Sequence, residues 1–290
     1  MISKQQSFKS DAGKLYLVPT PIGNLEDLSV RSLKILQQAD LIASEDTRNT
    51  QKLLNHFEIS TSQISLHEHN YKERIPQLLA HLRQGAMIAQ VSDAGMPSIS
   101  DPGHELVVAC LAEEIDVISL PGPTAGLTAL IASGLLPQPN LFLGFLPRKM
   151  KEVKDLLEPY LQHQVSMIFY ESPHRIKKTL GILAQIFKPE CQVCLARELT
   201  KVHEEYLRGS LQELADQIDN YTLKGEMCLI IENIPQTKSP AEASYQQLPL
   251  KEQVENVMNN EQLSSKEAIK KIAKLNNLKK QEVYQAYHEL

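Results

Sequence analysis

The chain has 290 residues, of which 42% are hydrophobic, so it exceeds the usual domain of about 100–200 residues and can fill more than one core. Its formal charge of −5 excludes a globally basic polyanion binder, leaving any nucleic-acid contact to local patches. Four cysteines are too few for a disulfide framework, the start is polar, and the apolar stretch 141–146 falls far short of the ~20 residues of a membrane span, so a cytoplasmic chain without a membrane partner is expected.

Residues 1–13 are expected to be a flexible N-terminus. Residues 14–136 read as five strand–helix units, with strands at 15–18, 41–44, 64–66, 87–91 and 117–120 and helices at 29–39, 47–57, 72–84, 102–114 and 124–134. Strands separated by helices imply right-handed crossovers and a mostly parallel five-stranded sheet. Asp101 is a helix N-cap, followed by Pro102 at the first helical position. Glycine and two prolines interrupt the periodicity at Gly134-Leu135-Leu136-Pro137-Gln138-Pro139-Asn140, which marks the crossing to a second α/β domain, 137–234.

The strands expected there are 141–146, 167–170, 192–198, 205–208 and 227–232. Only three helices, at 149–162, 174–187 and 210–219, separate them, so the second sheet is mixed. Cys191-Gln192-Val193-Cys194 alternates as a buried strand does and lacks a second ligand pair, so thiols in a core are expected and no metal.

Residues 235–249 are polar and read as a linker to a helical module at 250–290. There Ser264-Ser265-Lys266-Glu267 forms a capping box, and Ala268, Ile269, Ile272, Ala273 and Leu275 form one apolar stripe. A turn at Asn276-Asn277-Leu278 leads to a second stripe of Val283, Tyr284, Ala286, Tyr287 and Leu290. The fold class is therefore α/β, with two α/β domains flanking a cleft and a small helix-turn-helix-like tail.

Three turns carry the chemistry: Pro19-Thr20-Pro21-Ile22-Gly23-Asn24, Ser92-Asp93-Ala94-Gly95-Met96-Pro97-Ser98 and Pro121-Gly122-Pro123-Thr124-Ala125-Gly126. Each follows a strand, and in an open parallel sheet the strand ends share one crevice, so together they outline a small-molecule site built largely from backbone. None has the Gly-x-Gly-x-x-Gly of dinucleotide binders or the Gly-Lys-Ser/Thr of a P-loop. S-adenosylmethionine suits such a crevice: its adenine wants apolar walls, its amino-acid tail wants amides and a carboxylate, and its sulfonium makes alignment the main task.

Ser44-Glu45-Asp46-Thr47-Arg48 puts two acids and an arginine at a strand end. In one reading a carboxylate, Asp46 before Glu45, removes a hydroxyl proton while Arg48 holds a phosphate or orients the acid. In the other, Asp46 caps a helix and pairs with Arg48 on the surface. His174, Arg175, Arg197 and Lys201 lie near strand ends, suited to phosphate contacts, with Lys177, Lys178 and Arg208 close by; a solvated charged face is the alternative. Tail residues Lys266, Lys270, Lys271, Lys274, Lys279 and Lys280 carry the same two readings.

The run Leu15-Tyr16-Leu17-Val18-Pro19-Thr20-Pro21-Ile22-Gly23-Asn24-Leu25, the Glu45-Asp46-Thr47-Arg48 segment, the two later turns, Tyr170-Glu171-Ser172-Pro173-His174-Arg175 and Arg197-Glu198-Leu199-Thr200-Lys201 occur in that order. Together they resemble the bacterial 16S rRNA (cytidine-2′-O)-methyltransferases of the ribosomal RNA small subunit methyltransferase I family, a tetrapyrrole-methylase-like branch of the S-adenosylmethionine enzymes. The resemblance implies that S-adenosyl-L-methionine is held by Pro21, Asp93, Ala94, Gly95, Ser98, Thr124 and Ala125 from one domain and by Tyr170, Glu171 and Leu199 from the other. It further implies a cytidine ribose in the decoding region of 16S rRNA as acceptor, the 30S subunit as partner, and a homodimer. A methylase of a tetrapyrrole or another small acceptor, or a non-catalytic RNA-binding assembly factor, are the alternative functions.

Overall fold

The computed structural model describes residues 4–7, 12–99, 101, 103–235, 248–276 and 278–288. Pro102, Asn277, Leu290, most of the expected N-terminal segment and residues 236–247 of the expected linker lie outside the described residues. The chain forms two compact units, Met1–Ile234 and Pro235–Leu290.

The first unit begins with β1 (Lys14–Leu17), α1 (Val30–Gln38), β2 (Leu41–Ser44), α2 (Thr47–His56), β3 (Gln63–Ser65), α3 (Tyr71–Arg83), β4 (Met87–Val91), α4 (Gly103–Ala112), β5 (Asp116–Ser119) and α5 (Ala125–Ser133). All five strands pair in parallel, in the order β3-β2-β4-β1-β5. Alternation assigns the faces. Tyr16 and Val18 pack with Leu36, Ile42 and Leu54 on one side, whereas Leu15 packs with Ala43, Leu78, Leu82, Leu106 and Cys110 on the other. The sheet is thus covered on both faces, as parallel sheets require. The Gln5 side chain exchanges two hydrogen bonds with the Val117 main chain, occupying part of the β5 edge.

The chain leaves β1 toward one sheet edge and β4 toward the other, although the two strands are neighbours. Their following turns therefore lie side by side. Thr20 and Gly95 seal the contact by exchanging main-chain hydrogen bonds of 3.0 Å each.

The rest of the unit is β6 (Asn140–Phe145), α6 (Met150–Leu157), β7 (Ser166–Glu171), α7 (Ile176–Leu183), β8 (Gln192–Arg197), β9 (Glu205–Ser210), α8 (Leu211–Gln217) and β10 (Met227–Glu232). Its sheet, in the order β6-β7-β10-β8-β9, has one parallel pair and three antiparallel pairs. Two helices are shorter than periodicity predicts. The segment 149–162 leaves α-geometry after Leu157 for a single tight turn at Glu158–Tyr160 that contains Pro159. The segment 174–187 starts at Ile176, because the Ser172 carbonyl accepts from both Arg175 and Ile176 in a preceding turn.

One face of this second sheet, with Met167, Phe169, Val193, Leu195, Leu229 and Ile231, packs on α6, α7 and α8. The opposite face, with Ile168, Ala196, Cys228 and Ile230, receives α5 through Ala129 and Leu130. Small and apolar residues at Gly126, Ala129, Leu130 and Ser133 give α5 the required helical stripe. Arg208 of β9 donates to the Ala132 and Ser133 carbonyls (2.7 and 3.1 Å), satisfying the carboxyl end of α5. All four cysteines are free and buried.

Among its described residues the second unit has three helices, α9 (Leu250–Glu261), α10 (Ser265–Leu275) and α11 (Lys280–His288), one more than the two apolar stripes indicate. Val254 and Val257 of α9 complete a core with Ala268, Ile269, Ile272, Ala273 and Val283. Ser264 and Glu267 form the expected reciprocal cap.

A side chain at position 126 would press on the second sheet, since its Cβ would lie 3.2 Å from Ile168 Cγ2 and 3.3 Å from Phe142. Gly126→Val is expected to destabilise the first unit by about 1–3 kcal/mol through overpacking, read as a lower denaturation midpoint, although valine has the better intrinsic helix propensity.

Candidate active site

The turns after β1, β4 and β5 face the inner side of the second sheet across a cleft of about 850 Å³. That volume suits a drug-sized ligand. Ala94, Gly95, Thr124 and Ala125 line it from the first sheet, and Tyr170, Leu199, Met227 and Cys228 line it from the second. Gly95 has φ +78°, and a Cβ there would sit 3.3 Å from Ile22 and 3.4 Å from the Pro123 carbonyl. Glycine is needed for both reasons.

α5 starts on the cleft wall, and Thr124 makes no side-chain capping bond to it. The Gly126 amide instead donates to the Tyr170 hydroxyl at 3.3 Å, tying the helix start to β7. Burial raises the Tyr170 pKa, so this phenol stays neutral. Phe142 and Phe145 stand edge-on to the Tyr170 ring at 5.0 and 5.9 Å, and Phe145 is 60% exposed. These aromatics provide an apolar platform within a cleft that is open to solvent.

Glu45 and Asp46 diverge. Asp46 caps α2, accepting from the Arg48 amide at 2.9 Å and from the Arg48 guanidinium at 3.1 and 2.8 Å. The Arg48 hydrogen bond holds the Asp46 carboxyl down at about 2, and Asp46 is not on the cleft wall. The helix-cap and ion-pair arrangement is therefore what the structure contains. Glu45 lines the cleft and is half-buried, and desolvation raises its pKa. Its Oε2 accepts from the Asp93 amide at 3.2 Å, while Asp93 Oδ1 accepts from the Asp46 amide at 3.2 Å. The turns after β2 and β4 are thus cross-linked.

Other expected site residues lie elsewhere. Pro21 lines a smaller adjoining pocket instead of the main cleft. Ser98 also lies off the wall, its amide donating to Asp101 at 2.8 Å and its Oγ accepting from Gln90 at 3.0 Å. Glu171 reaches the cleft, yet its carboxylate accepts from Thr179 (2.6 Å) and the Ser172 amide (2.8 Å) and faces Arg175 at 3.5 Å. Arg175 donates to the Leu146 and Pro147 carbonyls. Arg197 pairs with Glu205 at 3.0 Å, and Lys201 pairs with Glu198 and Glu226 at 2.9 and 2.8 Å. The set Arg48, Arg175, Arg197 and Lys201 is accordingly a group of internally engaged cations, of which Arg48 alone is broadly exposed, at 86%. His174 is exposed, and Lys177 pairs with Asp219.

Sequence reading missed Phe142, Phe145, Ile168, Met227 and Cys228 on the wall. In the sequence they are indistinguishable from core strand residues, and only the period-2 phase shared with Tyr170 along β7 could have marked Ile168; Cys228 joins that face through its pairing with Tyr170 across β7 and β10. Among the described residues, no cluster of His, Cys, Asp or Glu is arranged to hold a metal ion.

Gly95→Val is expected to leave the chain folded but strained at φ +78°, and to narrow the cleft beside Ile22. Calorimetry with S-adenosylhomocysteine should register at least a tenfold weaker affinity, about 1.4 kcal/mol. Unchanged affinity in a folded variant would remove this turn from the site.

Comparison with known proteins places this architecture. The family described as tetrapyrrole (corrin/porphyrin) methylases matches residues 14–215. The chain is 49% identical to ribosomal RNA small subunit methyltransferase I of Streptococcus pyogenes serotype M3, over 99% of both chains. It is 46% identical to the Bacillus subtilis (strain 168) protein of that name, again over 99% of each. Its fold resembles uroporphyrin-III C-methyltransferase from Thermus thermophilus in complex with S-adenosylhomocysteine, with a TM-score of 0.53 and 18% identity, over 76% of this chain and 97% of the other. A shared sheet pair, a cleft at the expected strand ends and near-half identity along the full length make this chain a member of the tetrapyrrole methylase family, in its ribosomal RNA small subunit methyltransferase I branch.

Proposed function

We propose that the chain transfers a methyl group from S-adenosylmethionine to the ribose 2′-hydroxyl of a cytidine in 16S rRNA, in the cytoplasm and on the 30S subunit. The observation that carries this reading is the placement of Glu45, a half-buried acid on the cleft wall whose carboxylate accepts from the Asp93 main-chain amide and whose pKa is raised by desolvation. The relatives' names support the rRNA acceptor.

The cleft fits the cofactor. Gly95 keeps its turn thin, Ala94, Thr124 and Ala125 present main chain, and Phe142, Tyr170 and Leu199 supply the apolar wall that an adenine requires. S-adenosylmethionine supplies the methyl group on an activated sulfonium leaving group. The remaining work is alignment, exclusion of water and removal of a proton from a weakly acidic hydroxyl. Glu45 is suited to the last step, because burial keeps its proton affinity above that of an ordinary carboxylate, whereas the Arg48 ion pair makes Asp46 a poor base. The exposed Arg48 guanidinium and the exposed His174 ring are the groups assigned to RNA phosphate contact. Arg175, Arg197 and Lys201 act through the fold.

A base must be deprotonated, so kcat/KM should rise with pH through the elevated Glu45 pKa and plateau above it. Glu45→Gln should lower turnover about 10²–10⁴-fold and abolish that acid limb while cofactor binding persists. A pH–rate profile that Glu45→Gln leaves unchanged would exclude this role. For the reaction itself, labelled S-adenosylmethionine is incubated with 30S particles and with naked 16S rRNA. Label on a ribose 2′-oxygen of the particles is the expected result; label only on a base, or on neither RNA, would refute the assignment.

We also infer a homodimer. Exposed Val108 and Leu111 on α4, and Leu127 and Ile131 on α5, support it, Ile131 being 80% accessible. Ile131→Glu should shift the sedimentation coefficient from dimer toward monomer; an unchanged dimer would move the interface off α5.

A further inference from the structure

Beside the cleft lies a second pocket of about 240 Å³, lined in part by Thr20, Pro21, Leu25, Asn49, Lys52 and Asp93. It is smaller than the ~300–1,000 Å³ of ordinary small-molecule sites, so it accommodates a single flat ring better than a cofactor. Ser92 and Asp93 line both pockets. Glu45, on the cleft side of that shared wall, is bound to the Asp93 amide at 3.2 Å.

We propose that this side pocket reads the base of the acceptor nucleotide, Asp93 accepting from the exocyclic amine of a cytosine and Lys52 donating to its ring carbonyl; the inference rests on the ribose-methylation reading above. An enzyme acting on a single nucleotide of structured RNA gains access by splaying that nucleotide out and holding its base in a pocket. Only the C1′ and C2′ carbons separate the base nitrogen from the 2′-oxygen. A base in the side pocket therefore leaves its 2′-hydroxyl at the shared wall, where Glu45 stands.

The polar groups set the preference. Asp93 Oδ1 already accepts from the Asp46 amide at 3.2 Å and Oδ2 from the Asn49 side-chain amide at 3.1 Å. A carboxylate oxygen can accept more than one bond, so these contacts fix its orientation and leave acceptor capacity. Lys52 Nζ reaches Asn49 Oδ1 at 3.3 Å, and two of its donors remain for a ligand. Pro21 and Leu25 add apolar surface for a ring face, and Leu25 is 39% exposed. A uracil would set a carbonyl against the Asp93 carboxylate, opposing two acceptors. Cytosine has its amine there, the pairing that acidic side chains make with this base.

The test compares the native protein with Asp93→Asn and Lys52→Met on small subunits reconstituted from 16S transcripts carrying either cytidine or uridine at the mapped methylation position. The native chain should prefer cytidine, and Asp93→Asn should reduce the cytidine-to-uridine ratio of kcat/KM by about tenfold or more. Lys52→Met should raise the KM for particles with cytidine while leaving kcat nearly unchanged. S-adenosylhomocysteine affinity, measured by calorimetry, should stay within about twofold in Lys52→Met, whose residue lines only the side pocket, and unchanged denaturation midpoints should show that both variants are folded. An unchanged ratio in an active Asp93→Asn protein, or selective loss of S-adenosylhomocysteine binding in it, would overturn base reading by this pocket and leave ribose methylation standing. Absence of ribose methylation by the native chain would instead overturn the functional reading, and this inference with it.

Discussion

The seating of α5 on the inner face of the second sheet is the contact on which the rest of this enzyme depends. The helix belongs by sequence to the parallel half, and its buried stripe of Gly126, Ala129, Leu130 and Ser133 meets Ile168, Ala196 and Ile230 of the other half. Small residues let the helix axis approach the sheet closely; large ones would push the halves apart. Because α5 begins at the Pro121–Thr124 turn, its depth on the second sheet sets how far that turn stands from Tyr170. Arg208 bonding the last carbonyls and Tyr170 accepting from the Gly126 amide fix the two ends. The cleft is the space this clamp leaves open.

Electrostatics in the cleft follow from the same geometry. The proposed acceptor is a polyanion and the chain has a net negative charge, yet most of the cations along its motifs are engaged by internal carboxylates and carbonyls. That arrangement makes sense where the cations order loops. Arg175 pins the β7 turn to the Leu146 and Pro147 carbonyls, and Glu171 beneath it accepts from Thr179 and the Ser172 amide. Pairing of this sort lowers the cost of burying a carboxylate while fixing its position. Glu45 is different: a main-chain amide satisfies it on one side and, among the described residues, no basic side chain pairs with it, so desolvation, helped by the neighbouring acids Asp93, Asp101 and Asp46, outweighs the Asp93 amide and raises its pKa.

How much of this the sequence reveals depends on the kind of interaction. The parallel sheet was legible because β1 to β5 are short apolar runs between amphipathic helices, and the turns were legible because Gly95 and its neighbours meet backbone demands that few residues satisfy. The roles of Glu45 and Asp46 were not separable, since adjacent acids differ only in which way the chain turns after β2. The cleft wall of Phe142, Phe145 and Cys228 was hidden for a related reason. Apolar strand residues facing a ligand and apolar strand residues facing a core have the same composition, and only the packing of α5 decides which is which.

A strained segment holds the two halves in register from the other side. Glu198 and Thr200 both adopt φ above +50°, a costly region for non-glycine residues and more so for β-branched threonine. The segment is held by a main-chain bond from Glu198 to Glu226, by the Glu204 carboxylate accepting from the Thr200 amide at 2.7 Å, and by the paired Lys201 ammonium. Two glycines make room for it: a Cβ on Gly225 would collide with the Glu198 side chain, and one on Gly23 would lie 2.5 Å from Lys201 and 2.7 Å from Thr200. Gly23 belongs to the first turn, so the strap seats the Pro19–Asn24 loop against the β8 end that also delivers Leu199 to the cleft. The charges of the Arg197–Lys201 motif are thus explained by positioning: they stabilise a strained backbone path, and that path sets the distance across which methyl donor and acceptor must meet.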